Sequence, residues 1–458
     1  MQSTLAKLSL CRTPALGGRT YQCDRCGEVS EVFHSCGDRH CSQCAGRKRY
    51  DFAARAGQLI LPKVTYYQVV FTLPSELSEL ALANRMELAD LLFASAWKSL
   101  RKTLRVQQGY DPAAMMVLHS WNQRLQPHWH VHALVPGGGP SLTSHHWKAC
   151  EAPEGAANSD GHYLVDAISL RESFRRHAIA HLKRLRRRGA LKLGGKFAHL
   201  KEDAVWEAFC DQLASVDWVS FIQPPPTETS SAEQMVRYLT RYLTGGPISD
   251  RRILAADRQE VTFLAREGKQ TGGERAQIPV TLSCSEFIRL WCLHIQPEQL
   301  TKTRYFGGWC NQRRAKYLQL CRQLLESPAP DPFPDSDASS STADSFRGQG
   351  EADVAPLEDA PFRCPACDAA ALQLIRETAK PRWPEVLDHL DPRCPTWYAK
   401  IGREHQCQYL LDTYGIDYED WYLETRVESA MQSAGEPPPL QLYLLGMYPV
   451  PDFQLESF

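Results

Sequence analysis

The sequence predicts an α+β protein with antiparallel strands, a small zinc-binding module before them, and a helical region and a small C-terminal module after them. Three observations carry this prediction. Cys-x2-Cys pairs lie in a loop-dominated stretch near the N terminus. Residues 114–119 form an apolar run and residues 129–135 alternate, and the short polar stretch between them lets the two strands pair antiparallel. Residues 75–105 and 231–244 have the apolar spacing of helices.

Composition places the chain among globular proteins. It has 458 residues, a formal net charge of −1, a hydrophobic content of 43% and a charged content of 23%. No apolar run reaches the roughly 18 residues of a membrane span, and the first residues lack the apolar core of a signal peptide. We therefore expect a cytoplasmic protein with no membrane partner, in which the 16 cysteines serve as metal ligands before disulfides.

The N-terminal cysteines predict a structural zinc site. Cys23 and Cys26 form one Cys-x2-Cys pair, and Cys41 and Cys44 form another. Each short loop lets both thiolates bind one tetrahedral ion, so these cysteines are the predicted Zn²⁺ ligands. Other nearby residues could replace one of them or make a second site: Cys11, His34, Cys36 and His40.

The elements that follow alternate between strands and helices. An apolar strand over residues 64–73 ends at Pro74, and a helical stretch covers residues 75–105. The two strands already described come next, and mixed α/β sequence extends to about residue 225. Three prolines then precede the helix over residues 231–244.

A histidine-rich strand is the most informative part of the chain. His130 and His132 point to the same face because alternate residues of a strand share a face. His119 ends the preceding strand, and antiparallel pairing would place it beside them. Three imidazoles are a plausible ligand set that leaves positions open for a substrate oxygen, with His128 as a substitute third ligand.

The helix over residues 231–244 carries two tyrosines. It has a capping-box start and ends at a glycine pair. Tyr238 and Tyr242 lie one turn apart on one face, and Arg237 and Arg241 follow on a neighbouring face, where they could hold phosphates. In isolation the pattern is that of two tyrosines at the edge of a core. Beside a metal that polarises a phosphate, a phenol can instead attack phosphorus and form a covalent phosphotyrosine link.

Basic residues are the other candidates for nucleic-acid contacts. Arg47 and Lys48 in the cysteine-rich module suit phosphate contacts. The stretch 171–196 is dense in lysine and arginine, including Arg186 and Arg187, although such a run can also be a solvated helix face. The acidic excess lies in residues 326–361, which read as a disordered linker.

One further Cys-x2-Cys pair, Cys364 and Cys367, follows the acidic linker. Its possible partners stand at irregular spacing: Cys394, His405 and Cys407. The spacing alone therefore does not decide whether this part of the chain binds zinc.

These residues together resemble the HUH (His-hydrophobic-His) nucleases, and within them the two-tyrosine rolling-circle transposases of the insertion sequence 91 family. The likeness covers roughly residues 10–325 in consistent order. It is carried by the following stretches: 35–44, 69–74, His130-Val131-His132 with 135–139, Arg237-Tyr238-Leu239-Thr240-Arg241-Tyr242 and Arg304-Tyr305-Phe306-Gly307. Trp129 departs from the family pattern, since proline is expected there.

The resemblance implies a central antiparallel sheet that carries the paired histidines, and single-stranded DNA as the substrate. It implies that Tyr238 and Tyr242 are nucleophiles and that His130 and His132 bind Mg²⁺ or Mn²⁺. His119 matches the position of a third ligand in related relaxases. Three imidazoles suit Zn²⁺ or Mn²⁺ better than Mg²⁺, which prefers oxygen ligands.

The predicted function is that of a transposase that nicks element ends through a 5′-phosphotyrosine intermediate and transfers the strand in rolling-circle transposition. Its partners would be single-stranded ends that contain hairpins, and target DNA, at the nucleoid of a bacterium. The alternatives are a plasmid relaxase or replication initiator with the same chemistry, and a catalytically inactive zinc-dependent DNA-binding regulator. Five segments are predicted: a zinc module 1–55, an HUH domain 56–260, a catalytic extension 261–325, the linker 326–361 and a C-terminal module 362–458.

Overall fold

The computed structural model describes residues 1–153, 163–223, 246–266, 276–326 and 363–414. The chain divides into two compact units. The first unit consists of Met1–Cys44 and Ala338–Phe458, and the second consists of Ala45–Asp337. Among the described helices, none has both the length and the apolarity needed to cross a membrane.

The helices and strands follow one another through both units. The helices are α1 (Gln2–Ser9), α2 (Ala45–Gly57), α3 (Ser78–Ala83), α4 (Arg85–Gln107), α5 (Ala167–Arg187), α6 (Asp203–Ser215), α7 (Cys284–Cys292), α8 (Arg314–Glu326), α9 (Trp383–Val386) and α10 (Thr396–Tyr414). The strands are β1 (Gly18–Cys23), β2 (Val29–Phe33), β3 (Tyr66–Thr72), β4 (Ala113–Trp121), β5 (Pro127–Pro136), β6 (Gly138–Pro140), β7 (Trp147–Ala149), β8 (Val219–Gln223), β9 (Ile253–Ala256), β10 (Glu260–Arg266), β11 (Gln277–Ser283), β12 (Thr303–Gly307) and β13 (Leu372–Thr378).

A five-stranded antiparallel sheet organises the second unit. Its strand order is β12-β4-β5-β3-β8, so β5 is the central strand. The predicted α+β class with a central antiparallel sheet is therefore confirmed. The histidine strand has a hydrogen-bonded neighbour on each side, which holds its register and keeps each side chain on a defined face.

Alternation along the strands gives this sheet two different faces. On one face, Phe71, Met116, Trp129 and Val131 are almost fully buried against apolar residues of α4, α5 and α6. On the other face, a smaller cluster that includes Met115 and residues of α2 and α8 covers one end of the sheet. Burying Trp129 on the first face obliges its neighbours His130 and His128 to point to the second.

A smaller sheet of β11-β10-β9 packs with α7 in the same unit. Its apolar cluster contains Phe263, Ala265 and Leu290, together with Leu125 from the turn between β4 and β5. Leu125 is fully buried and has a positive φ of 63°. The small sheet therefore supports the turn from which the histidine strand begins.

The first unit joins the two ends of the described chain. β1 pairs with β2 on one side and with β13 on the other, and both pairings are antiparallel. Leu16 and Cys36 are buried beside Val386 of α9 in a small separate core. The zinc module is thus built from two chain segments that are more than 300 residues apart in sequence.

The unit boundaries differ from the predicted segments in three ways. The described part of the predicted C-terminal module, residues 363–414, belongs with the N-terminal residues because β13 pairs with β1. The zinc unit ends at Cys44 rather than at residue 55 because α2 packs in the core of the other unit. β12 lies in the predicted extension 261–325, yet it is an edge strand of the central sheet. The predicted linker falls almost entirely outside the described residues.

Candidate functional site

Three histidines meet on the open end of the second sheet face. His119 of β4 lies directly opposite His130 of β5, and His132 is two residues further along β5. Directly opposed residues of antiparallel strands share a face, as do residues two apart. Ring centroids are 5.3 Å apart for His119 and His130, 4.7 Å for His119 and His132, and 4.9 Å for His130 and His132. One ring nitrogen from each residue lies within 4.8 Å of the others. This geometry could bind a divalent metal ion.

Hydrogen bonds on the far side of two of these rings set the nitrogen that faces the cluster. His130 Nδ1 is 2.9 Å from the carbonyl oxygen of His128, so Nδ1 carries the proton and donates it. Nε2 of His130 then has its lone pair available for a metal. His132 Nδ1 is 2.7 Å from Nε2 of the Gln68 side-chain amide on β3, so this hydrogen bond engages Nδ1 of His132 and not its Nε2.

The surroundings keep the imidazoles neutral. Burial lowers the pKa of His130 well below 6.5, and the charges of His132 and His128 lower it further. Burial, assisted by the charge of Lys302, lowers the pKa of His132 to about 4. Burial also lowers the pKa of His128. At neutral pH both His130 and His132 therefore offer an unprotonated nitrogen, which metal binding requires.

A tryptophan and a lysine border the cluster. The Trp121 ring stacks on His119 with 4.7 Å between ring centroids and 19° between planes. Lys302 immediately precedes β12, and its Nζ lies 4.7 Å from the centroid of the same tryptophan ring. The cluster therefore has a positive charge and a flat aromatic surface at its edge, both of which suit a nucleic-acid strand.

Tyr238, Tyr242, Arg237 and Arg241 lie outside the described residues. The described residues that flank them belong to the second unit, and β8 runs away from the histidine end of the sheet, since Val219 pairs with Thr72 and Thr72 pairs with His130. Gln223, the last residue of β8, pairs with Gln68. On the other side, Ile248 packs on the cluster that contains Leu125.

The structure corrects the predicted zinc ligand set. Cys23, Cys26, Cys41 and Cys44 do not meet at one site. Cys41 and Cys44 join Cys11 and Cys36, and all of these are buried. The reason is that the loops between α1 and α2 fold back on α1, which brings Cys11 to Cys41 with 3.5 Å between their sulfur atoms.

The other predicted pair, Cys23 and Cys26, lies with Cys364 and Cys367. The strand pairing of β1 with β13 brings these two Cys-x2-Cys loops together. Neither His34 nor His40 is part of a cysteine cluster. His34 Nε2 lies 3.0 Å from the carbonyl oxygen of Thr378, and His40 Nδ1 lies 2.9 Å from Asp38 Oδ1.

The surroundings of the predicted DNA-binding residues differ from one residue to the next. Arg186 is half-buried: its guanidinium lies 2.7 Å from an oxygen of the exposed Asp203, 2.7 Å from the carbonyl oxygen of Lys201, and 5.2 Å from the Trp206 ring centroid. These partners hold the guanidinium in place, and its predicted role in DNA binding stays a prediction. Arg187 is exposed. The side chains of Arg47 and Lys48 in α2 lie outside the described residues.

A basic groove between α4 and α5 was not predicted. It has a volume of about 370 Å³ and is lined by Lys98, Arg101, Lys102, Arg105, Val106 and His177. Its lysines and arginines are exposed, and none forms an ion pair with another described residue. Burial and the charges of Lys98, Lys102 and Arg176 lower the pKa of His177, which shows that positive charge is concentrated here. The sequence signal was the absence of any acidic residue between Asp90 and Asp111.

Comparison with protein families identifies two matching stretches. Residues 113–316 match the family described as "Putative transposase", and residues 1–73 match the transposase zinc-binding domain of the insertion sequence 91 type. The first stretch contains the histidine strand and β12, and the second contains all six N-terminal cysteines.

Individual relatives agree with these families. "Putative transposase y4qJ" of Sinorhizobium fredii is 33% identical over 331 residues, which is 72% of this chain and 79% of that protein. The transposase for insertion sequence element IS801 of Pseudomonas savastanoi pv. phaseolicola is 25% identical over 373 residues, 80% of this chain and 81% of that one.

A solved conjugative relaxase, TrwC in complex with oriT DNA in its metal-bound form, is 14% identical, covers 52% of this chain and 86% of its own, and has a TM-score of 0.18. That TM-score is too low to bear on fold or function. The two family matches and the length of chain shared with the two transposase relatives show the family by themselves. The chain belongs to the insertion sequence 91 family of transposases.

Proposed function

We propose that this transposase nicks single-stranded DNA at the ends of its element through a 5′-phosphotyrosine intermediate, and transfers that strand in rolling-circle transposition. The observation that carries the proposal is the cluster of His119, His130 and His132 on one face of the central sheet. Membership of a transposase family disfavours the alternative of a plasmid relaxase or replication initiator.

The donor set fits a divalent ion. Two neutral imidazoles direct Nε2 inward, and a third imidazole completes one side of a coordination sphere while the other side stays open. We propose Mn²⁺ or Mg²⁺ as the working ion, since nitrogen ligands are accepted by Mn²⁺ more readily than by Mg²⁺. When bound, the ion would polarise the scissile phosphate and stabilise the charge that develops on its oxygens.

Tyr238 and Tyr242 are the proposed nucleophiles. A tyrosine oxygen attacks phosphorus while the bond from phosphorus to the 3′ oxygen breaks, and the leaving 3′ oxygen takes up a proton. The 5′ phosphate remains on the tyrosine as a diester, so attack by a 3′-hydroxyl of target DNA can reverse the step and join the strands. A pair of tyrosines permits two such transfers without water.

The length of chain on either side of Tyr238 is compatible with its proposed role as a nucleophile. Tyr238 is 15 residues beyond Gln223 and eight residues before Gly246. Extended chain spans up to about 3.3–3.6 Å per residue, so the 15 residues reach up to about 50 Å and the eight residues up to about 26 Å. Arg237 and Arg241 are proposed to hold phosphates beside the tyrosines.

Positive charge outside the histidine cluster is proposed to hold the rest of the DNA. Lys302 is placed to attract the phosphates of a strand lying over Trp121. The basic groove of α4 and α5 lies on the helical side of the sheet, opposite the histidine face, so it would contact a different part of the nucleic acid. The proposed phosphate contacts also include Arg186, Arg187, Arg47 and Lys48.

The direct test is to incubate the protein with single-stranded oligonucleotides from the element ends and Mn²⁺ or Mg²⁺. We expect a protein–DNA adduct that survives denaturation. The variant Tyr238→Phe, Tyr242→Phe should form none, while Tyr50→Phe, a change at an exposed tyrosine of α2, should behave as wild type.

Two outcomes would contradict the proposal. An adduct formed by the double variant would overturn the assignment of the nucleophiles. DNA binding by the wild-type protein without any adduct, with both ions and both element ends, would instead indicate a zinc-dependent DNA-binding regulator without strand-transfer activity.

A further inference from the structure

We propose that Cys23, Cys26, Cys364 and Cys367 bind a structural zinc ion that joins the two chain segments of the first unit. This site is separate from the one formed by Cys11, Cys36, Cys41 and Cys44, so the unit would hold two zinc ions. The inference does not rest on the proposed strand-transfer chemistry.

The sulfur positions fit tetrahedral zinc. All four lie within 4.8 Å of one another. Cys23 Sγ is 3.7 Å from Cys367 Sγ, and Cys26 Sγ is 3.6 Å from Cys364 Sγ. Zinc–sulfur bonds of about 2.3 Å in a tetrahedron place neighbouring sulfurs about 3.8 Å apart. The fully buried cluster has the same spacing, with 3.6 Å between Cys36 and Cys44.

The two Cys-x2-Cys loops of this site repeat one backbone geometry. The N–H of Gly27 donates to the carbonyl oxygen of Cys23 at 2.8 Å, and the N–H of Asp368 donates to that of Cys364 at 2.8 Å. The residue after the second cysteine is left-handed in both loops, with φ of 77° at Gly27 and 53° at Asp368.

A second hydrogen bond closes each loop. The N–H of Cys23 donates to the carbonyl oxygen of Glu28 at 2.9 Å, and the N–H of Cys364 donates to that of Ala369 at 2.9 Å. Glycine and aspartate are both among the residues that adopt left-handed backbone readily, so each sequence suits this loop shape. Each loop thus presents two thiolates to one point, which is the arrangement that a four-cysteine zinc site needs.

The sheet around the site buries little apolar surface, which is why a metal would be needed to stabilise it. Apolar side chains of β2 and β13 are largely exposed, including Val29, Val32, Leu374 and Ile375. A small sheet with this little buried apolar surface does not hold two distant chain segments together by itself. The site lies where β1 ends, because Cys23 pairs with Leu372 at the start of β13. Zinc at this position would supply the free energy that the missing core does not.

The test measures zinc bound to the full-length protein after removal of loosely held metal. Cys364→Ser, Cys367→Ser should lose one equivalent of zinc relative to wild type, and Cys23→Ser, Cys26→Ser should lose the same equivalent. Combining all four changes should cost no more zinc than either pair. The matched control Cys284→Ser, Cys310→Ser alters two half-buried cysteines of the other unit and should lose none.

A second measurement separates thiolate sites from the histidine cluster and from simple misfolding. In protein loaded with Co²⁺, the thiolate-to-cobalt absorption should fall by about half in either paired variant. The single variant Cys367→His should keep the zinc, since Cys3His sites bind it well. If the paired variants retain the full zinc content of wild type, or if wild-type Cys364 and Cys367 are found in disulfides, the proposal is wrong.

Discussion

The amide of Gln68 lies 2.7 Å from Nδ1 of His132 on the neighbouring strand, and Gln68 is 6% exposed. An amide can turn either its nitrogen or its oxygen to that ring. With Nε2 toward the ring, Oε1 is buried without a hydrogen-bond partner among the described residues. With Oε1 toward the ring, it accepts the Nδ1 proton and leaves His132 Nε2 for the metal. We therefore expect Gln68 to position the His132 ring for the proposed metal site.

Gln68→Leu removes that acceptor and replaces the amide with an apolar side chain of similar size. We expect Mn²⁺ affinity to fall by about 10- to 100-fold, because the ring is no longer held in the right tautomer and orientation. Titration of the protein with Mn²⁺, followed by electron paramagnetic resonance, measures this. Gln68→Glu keeps an acceptor oxygen and should retain affinity. Equal affinity for wild type and Gln68→Leu would exclude the positioning role; Gln212→Leu, at an exposed site in α6, is the control.

The histidines of β5 should not be equivalent. His130 offers Nε2 to the cluster, whereas His128 contributes its carbonyl oxygen, which survives substitution of its side chain. His130→Ala should therefore abolish Mn²⁺ binding and adduct formation. His128→Ala should leave Mn²⁺ affinity within about threefold of wild type, which is the usual range for a change that removes no ligand. A comparable loss in both variants would make His128 a ligand and would contradict the cluster described above.

The depressed pKa values predict an acid-sensitive fold in the absence of the divalent ion. Burial lowers the pKa of His132 to about 4 and that of His130 well below 6.5. Between about pH 6.5 and pH 4 the unfolded chain binds protons that the folded imidazoles do not, so the free energy of unfolding decreases as pH falls through this range. Above about pH 6.5 these groups add no pH dependence.

Denaturant unfolding at pH 7.5, 6 and 5, with zinc retained and Mn²⁺ and Mg²⁺ omitted, checks this. Acidic residues also titrate in this range, so the comparison is with His130→Gln, His132→Gln. That variant should show a shallower dependence of the unfolding free energy on pH than wild type. If the two slopes coincide, the buried imidazoles do not govern the acid sensitivity.

The basic groove predicts a salt-dependent contact with nucleic acid. Each phosphate contact steepens the dependence of log affinity on log salt by about 0.9 for duplex DNA and about 0.7 for single strands. Lys98→Gln, Arg101→Gln, Arg105→Gln should weaken binding at all sequences and reduce that slope by roughly two to three. Fluorescence anisotropy with duplex and single-stranded oligonucleotides over a salt series measures both quantities.

A control for total charge uses exposed arginines of the small-sheet region. Arg251→Gln, Arg258→Gln removes positive charge away from the groove and should change the slope by less. If the groove variant and this control weaken binding equally, the effect is one of net charge, and the groove is not a DNA contact.

Local sequence determined the pairing of β4 with β5 in the second unit. The alternation in residues 129–135 predicted which side chains of β5 would be buried, and Trp129 and Val131 are buried as the period requires. The polar turn between the strands predicted antiparallel pairing, which brings His119 opposite His130. These features depend on neighbours within about twenty residues, where strand period and turn length leave few alternatives.

Tertiary structure decided the partners of residues that the sequence keeps far apart. Every Cys-x2-Cys loop offers two thiolates, and any two such loops can complete a tetrahedron, so spacing alone could not assign Cys23 to Cys364 rather than to Cys41. The pairing of β1 with β13 brings Cys23 close to Cys364 and so determines its partners. In the same way, Arg186 pairs with Asp203, and the docking of α4 on α5 places His177 beside the lysines and arginines of α4, more than seventy residues before it in the chain. Such contacts depend on chain reversals that no local period encodes, which is why only the folded structure revealed them.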